Sequence, residues 1–188
     1  EDIVDRQIGA NTLFALESAI LKALAKEQKK EIWELINSHM RKFPRLVGNC
    51  IGGGKHSVKT GRKPDFQEFL IIPNLKTVKE NWEKSRKLKE EAKYWLKTKD
   101  EKFDGKKNDE DAWSTRLNEK EIFEILRQLD VPFGTDVAAS GFFKRKSYHY
   151  ENPMLKRTEE EQFEYISNLI KNFNLFYIED PFEEEDFE

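Results

Sequence analysis

Only one cysteine, Cys50, occurs in the 188 residues, which excludes an internal disulfide. A lone thiol fits a reducing compartment, and Cys50 reads as a small buried hydrophobe rather than a nucleophile. Long apolar runs are also missing. No stretch approaches the ~20 residues that a membrane-spanning helix needs, and no signal-peptide pattern opens the chain. The expectation is a cytoplasmic protein without a membrane partner. Nor is there an excess of positive charge. Lys and Arg number 33 and Asp and Glu 36, for a formal net charge of -3, which excludes a strongly basic nucleic-acid binder. An initiator methionine is absent too: the sequence opens on Glu1, as expected of a chain processed or cut from something longer.

What is present is charge and aromatic mass. The mean hydropathy of -0.82 is very polar for a globular chain, yet 14 phenylalanines and 4 tryptophans supply enough apolar surface to argue against disorder. The length suits one domain, or one domain and part of another. Residues 11–37 read as helical, with Asn11 or Thr12 as cap and Leu13, Leu16, Ile20 and Leu24 three to four apart. The polar run at 26–30 separates a second short helix at Glu31–Ile36, and Pro44 closes the section.

From Arg45 the character changes. Leu46–Ile51 and the run QEFLIIP at 67–73 read as strands. A long charged helix spans Thr77–Lys97. Residues 98–116 form a polar connection anchored only by Phe103 and Trp113, a length that points to a lid or to disorder. Then follow a helix at Glu119–Leu129, a strand at Val131–Asp136, a hairpin within 144–157, a helix opened by the capping pair Thr158 and Glu161, and a strand at Leu175–Ile178. Helix and strand in alternation imply parallel strands covered by helices. A closed eight-stranded barrel takes ~250 residues, so any barrel here is incomplete.

Acids sit where such folds carry chemistry. Glu68 lies in QEFLIIP, Asp136 ends VPFGTD, and Glu179 and Asp180 end LFYIED. Active residues of parallel α/β folds lie at the C-terminal strand ends. Carboxylates converging there repel one another unless a cation neutralises them, and an all-oxygen donor set suits magnesium or manganese rather than zinc. The segment GGGKHS at 52–57 lacks P-loop spacing, but its glycines permit close backbone approach to a ligand, and His56 within it is an acid–base or anion-contact candidate. His39 and His149 stand outside any such context.

Five collinear segments carry a family resemblance: IGANTLFALESAILKALA at 8–25, NCIGGGKHS at 49–57, QEFLIIP at 67–73, DVAASGFF at 136–143 and YIEDPFEEEDFE at 177–188. Together they resemble enolase (phosphopyruvate hydratase), in an archaeal-like form truncated at both ends. The resemblance implies an α/β fold in which residues 1–45 are the helical C-terminal part of the small N-terminal domain and 46–188 the first part of a TIM-type (β/α) barrel. It implies that His56 approaches the substrate on loop closure, that Glu68 contacts it, and that Asp136 and Glu179 are Mg2+ ligands. The family's proton-donating glutamate lies in a GDEGG motif, and NDEDAW at 108–113 makes Glu110 its counterpart.

Two departures stand out. Asn108, Asp111 and Ala112 replace the glycines around that acid, where side chains oppose the backbone geometry glycine allows. The segment KTGRKPD at 59–65 is longer and more basic than the usual loop. In enolases the third metal aspartate and the base lysine lie beyond the equivalent of Glu188. The expectation is therefore a lyase that dehydrates 2-phosphoglycerate to phosphoenolpyruvate, with this chain supplying part of the site. A complementary enolase-like chain or a homo-oligomer would cover its open strand edges. The alternative is a non-catalytic, enolase-derived binding or scaffold protein.

Overall fold

Residues 8–57 and 61–187 are described by the structure, a computed structural model. Of the segment 59–65, Lys59 and Thr60 lie outside them, as do Glu1–Gln7 and Glu188. The chain divides into two compact units, Glu1–Pro44 and Arg45–Glu188. Among the described residues no helix is long and apolar enough to cross a membrane.

The first unit holds α1 (Ala10–Gln28) and α2 (Ile32–Ile36). Neither Asn11 nor Thr12 caps α1. Both lie inside it, and Gly9 stands at the N-cap without a side-chain bond. The break foreseen at 26–30 occurs because Lys29 turns left-handed at φ 52°, and its N–H closes back on the helix. Glu31 and Glu34 then start α2 with reciprocal side-chain-to-backbone bonds.

The second unit is built on a five-stranded sheet. Its strands are β1 (Gly48–Gly52), β2 (Glu68–Ile71), β3 (Trp113–Ser114), β4 (Phe133–Asp136) and, after a hairpin, β7 (Tyr177–Glu179). Their order is β3-β1-β2-β4-β7. Strands β1 and β3, and β4 and β7, pair in parallel, whereas β2 runs antiparallel to both neighbours. The all-parallel expectation is corrected at this strand. Among the described residues β3 and β7 are the two edges, and no closed barrel forms.

Three helices pack on the sheet: α3 (Val78–Lys99), α4 (Glu119–Leu126) and α5 (Glu159–Phe173). Each begins with a reciprocal capping box, Thr77 with Glu80, Asn118 with Glu121 and Thr158 with Glu161. Each then buries a stripe at three- and four-residue spacing: Leu88, Ala92 and Leu96 on α3, Ile122, Phe123 and Leu126 on α4, Ile166, Leu169 and Phe173 on α5. These stripes meet Cys50, Phe69, Ile71 and Phe133 in one core. Burial pushes the Cys50 thiol up to about 12, in keeping with a packing role.

Strand β4 starts two residues later than expected. Pro132 has no N–H to give the ladder, and only its carbonyl is used, accepting from the Ile72 N–H at 2.8 Å. The hairpin foreseen at 144–157 is β5 (Tyr148–Glu151) with β6 (Met154–Arg157). The long connection at 98–116 is ordered rather than disordered. It is built from Asx turns on Asp100, Asp104 and Asn108 and includes β3, too short to betray itself by alternation.

One buried acid ties the start of α4 to the loop before β2 and to the hairpin. Glu119 is 2% exposed, and its Oε1 accepts the Asp65 N–H at 2.7 Å. Asp65 in turn accepts the N–H groups of Glu151 and Asn152. Burial, then the Asp65 charge, pushes Glu119 up to about 7. A folded-state value above the unfolded one means that its contribution to stability is full below about 4.5 and is lost as pH rises through about 7. Glu119→Gln keeps the acceptor without the charge. In urea unfolding, its stability relative to the unaltered chain should rise between pH 5 and pH 8.5, by on the order of 3 kcal/mol at most. A difference that does not change with pH would refute the assignment.

Candidate active site

Because β2 is reversed, its first residue lies at the sheet end where β1, β3, β4 and β7 finish. The register makes this explicit. Ser114 opposes Gly52, Gly52 opposes Glu68, Glu68 opposes Asp136, and Asp136 opposes Glu179. Three carboxylates thus stand side by side on one rung. Asp136 is held on both oxygens, at 2.9 Å by the Ala138 N–H and at 3.1 Å by Gln67 Nε2. Glu179 accepts from the Tyr177 hydroxyl at 3.0 Å. The loop after β4 is tied to the end of β7, with Val137 N–H on the Glu179 carbonyl and Ala139 N–H on that of Asp180.

Among the described residues no cationic side chain forms an ion pair with them. Burial, then the charges of Glu110, Asp136 and Glu179, pushes Glu68 up to about 7. Burial, then Glu179, pushes Asp136 up to about 6. Carboxyl groups that hold protons this high lie near enough to oppose one another's ionisation, and their oxygens are hard donors of the kind divalent cations take.

The glycine segment stands above the rung. Its three glycines make room for the protein itself. A Cβ on Gly53 would meet the Phe66 carbonyl at 2.3 Å, and Gly54 has φ 50°. The Gly53 N–H bonds the Gln67 carbonyl at 2.8 Å, and Lys63 Nζ caps the Gly54 carbonyl. Lys63 belongs to the basic segment at 59–65, and that segment's described part therefore straps the glycine turn in place. His56 follows in a single 3-10 turn, Gly54–His56.

His56 meets the loop that carries Glu110. Its Nδ1 is 3.3 Å from Asp109, and its Nε2 is 3.5 Å from Glu110. Asn49 Nδ2 donates to the other Glu110 oxygen at 3.1 Å. Of the five site residues expected from sequence, Glu68, Asp136 and Glu179 share the rung, and His56 and Glu110 touch one another. The charge of Glu110 reaches Glu68 and joins the two groups. Asp109 and Asn49 escaped the sequence reading. Donor atoms of His56, Asp109 and Glu110 lie within 4.8 Å of one another, and among the described residues this is the group of three close enough to share a cation. Asp109 could have been found as the second acid of the NDED run. Asn49, inside a strand, gave no signal. His149 is held within the hairpin, its Nε2 2.9 Å from Ser147 Oγ.

A cavity of about 540 Å³ adjoins the rung, between the glycine turn, the loop after β4 and the hairpin. Gln67, Ala138, Asp180, Lys55, Lys144 and Tyr150 are among the residues that line it.

The profile of the family described as "Enolase, C-terminal TIM barrel domain" matches residues 41–188. The chain belongs to the enolase family. The enolase of Pyrobaculum aerophilum is 38% identical over 97% of this chain and 46% of its own length. Those of Methanosphaera stadtmanae and Methanocorpusculum labreanum are 35% and 36% identical, each over 96% of this chain and 47% of their own length. The chain thus spans about half the length of the enolases it matches.

The mutual repulsion on the rung is measurable. Asp136→Asn should lower the Glu68 carboxyl midpoint from about 7, as followed by carboxyl-carbon NMR titration without metal. Glu110→Gln should lower it as well. A Glu68 midpoint indifferent to both changes would mean that the three acids do not share one field.

Proposed function

We propose that this chain supplies part of the active site of a phosphopyruvate hydratase, which interconverts 2-phosphoglycerate with phosphoenolpyruvate and water. The observation that carries the reading is the convergence, at one sheet end, of three carboxylates on a single rung with the His56–Glu110 pair. In this reading residues 1–45 are the end of the enolase N-terminal domain and 46–188 the opening of its barrel. The protein is cytoplasmic, and its partner is a complementary enolase-like chain or a second copy.

The proton to be removed lies beside a carboxylate, so its loss adds charge to an existing anion. Asp136 and Glu179 would hold Mg2+, which when bound offsets the charge developing on the substrate carboxylate. Gln67 and the Ala138 N–H fix the Asp136 carboxylate for that task. Glu110 donates a proton to the departing hydroxide. Glu68, protonated in part near neutral pH, contacts the substrate beside Glu110. His56 contacts the substrate from the glycine turn. The base and the third metal ligand are assigned to the half of the relatives' length that this chain does not span.

A non-catalytic descendant would be favoured by the loss of glycines around Glu110. The loop nevertheless keeps the left-handed residue such a turn needs, at Asp111 with φ 63°, and Glu110 still reaches His56. Catalysis is therefore the better-supported reading.

Combined with a chain that supplies the remaining strands, this one should give magnesium-dependent turnover of 2-phosphoglycerate, read by absorbance of the enol product. Glu110→Gln should lower dehydration by ~10² to 10⁴-fold, while isotope exchange at the substrate carbon suffers less. A reconstituted enzyme that turns over equally well with Gln at this position would exclude Glu110 as the proton donor.

A further inference from the structure

The Glu110 loop is where this sequence leaves the glycine pattern of its family, and the structure contains what replaces it. Asp111 adopts φ 63°. That left-handed region suits glycine, and among other residues Asp and Asn tolerate it best. The Asp111 carboxylate lies 2.9 Å from Lys89 Nζ and 2.7 Å from Lys107 Nζ. These lysines hold it well below the usual carboxylate range, Lys107 foremost. Lys89 belongs to α3, so the loop is bound to a helix of the core rather than only to itself. Its own carbonyl accepts the Trp113 indole N–H at 2.7 Å, and Lys107 lies over the Trp113 ring at 4.8 Å. On the other side of the turn, Asn108 Oδ1 accepts the N–H groups of Glu110 at 3.1 Å and Ala112 at 2.9 Å. The Asn108 N–H closes on the Ala112 carbonyl at 2.8 Å. Glu110 is thus flanked by one residue that fixes its N–H and one that fixes the turn following it.

We propose that Asp111, clamped between Lys89 and Lys107, is a positioning residue that fixes the turn aiming Glu110 at His56 and Asn49. Asp111 touches neither of them. It acts through the backbone conformation of its own position, which the two ion pairs hold left-handed. The clamp does here what glycine does elsewhere in the family: it makes a left-handed residue the stable state of this turn. The functional consequence rests on Glu110 being the proton donor proposed above, but the placement of Glu110 is tested without turnover.

The chain has three histidines, so the His56 ring signals can be separated from those of His39 and His149. Long-range proton–nitrogen spectra at one fixed pH would compare the unaltered chain with Glu110→Gln, Asp111→Ala and Asp111→Gly. Glu110→Gln marks the shift that follows from losing the Glu110 charge beside Nε2. Asp111→Ala should displace the His56 ring signals toward that position and leave those of His149 in place. Asp111→Gly, which restores left-handed freedom without the ion pairs, should return them toward the unaltered values. His56 signals unmoved by Asp111→Ala would overturn the proposal. So would an Asp111→Gly chain displaced as far as Asp111→Ala, which would make the carboxylate itself, rather than the turn it fixes, what His56 senses.

Discussion

The arrangement depends on the direction of one strand. In a sheet with all strands parallel, the first residue of β2 would lie at the end opposite the C-terminal residues of its neighbours. Run antiparallel, β2 brings Glu68 opposite Asp136 and Gly52, and the pairing of β4 with β7 extends the row to Glu179. Side chains of directly opposed residues share a face. The carboxylates are therefore held together by the backbone ladder of the strands, with the Thr135 hydroxyl donating to the Glu68 carbonyl at 2.7 Å as well. The attraction that assembles the sheet does not come from the site. It comes from the packing of Phe69, Ile71 and Phe133 against α3, α4 and α5.

That separation lets the site remain electrostatically unfavourable. Asp136 and Glu68 hold protons up to about 6 and about 7 because burial and like charge both oppose ionisation. Their contribution to stability is present at acid pH and is lost as pH rises through those values. A divalent cation on the rung would reverse the penalty. The His56–Glu110 group differs in that its acids also face a ring nitrogen and an amide.

Much of the fold was legible from its punctuation. Thr158 with Glu161 marks a helix start in sequence and in structure, and the stripe Ile122, Phe123 and Leu126 is the buried face of α4, whereas on α3 Leu88 and Ala92 are buried but the apolar Val78 and Trp82 are exposed. The direction of β2 was not legible. QEFLIIP is buried on both faces, which is the composition of any central strand, and pairing direction leaves no local mark on it. Strand β3 was missed because two residues cannot show alternation. The first helix was misread at its cap, since Asn11 and Thr12 are good cap residues but Gly9 begins the turn. At the site, strand-end position and motif found the acids. The compensation for the lost glycines was hidden because Lys89 lies 22 residues from Asp111.

The central claim is that the rung is a cation site made by strand register. Paramagnetic broadening by manganese, titrated into the isotope-labelled chain and into Asp136→Ala, tests it most directly. The account predicts that the signals of Glu68, Asp136 and Glu179 broaden first and that this selective broadening disappears in Asp136→Ala. Broadening that survives the substitution, or that centres on Asp109 while the rung stays sharp, would contradict it and move the cation to the His56–Asp109–Glu110 group.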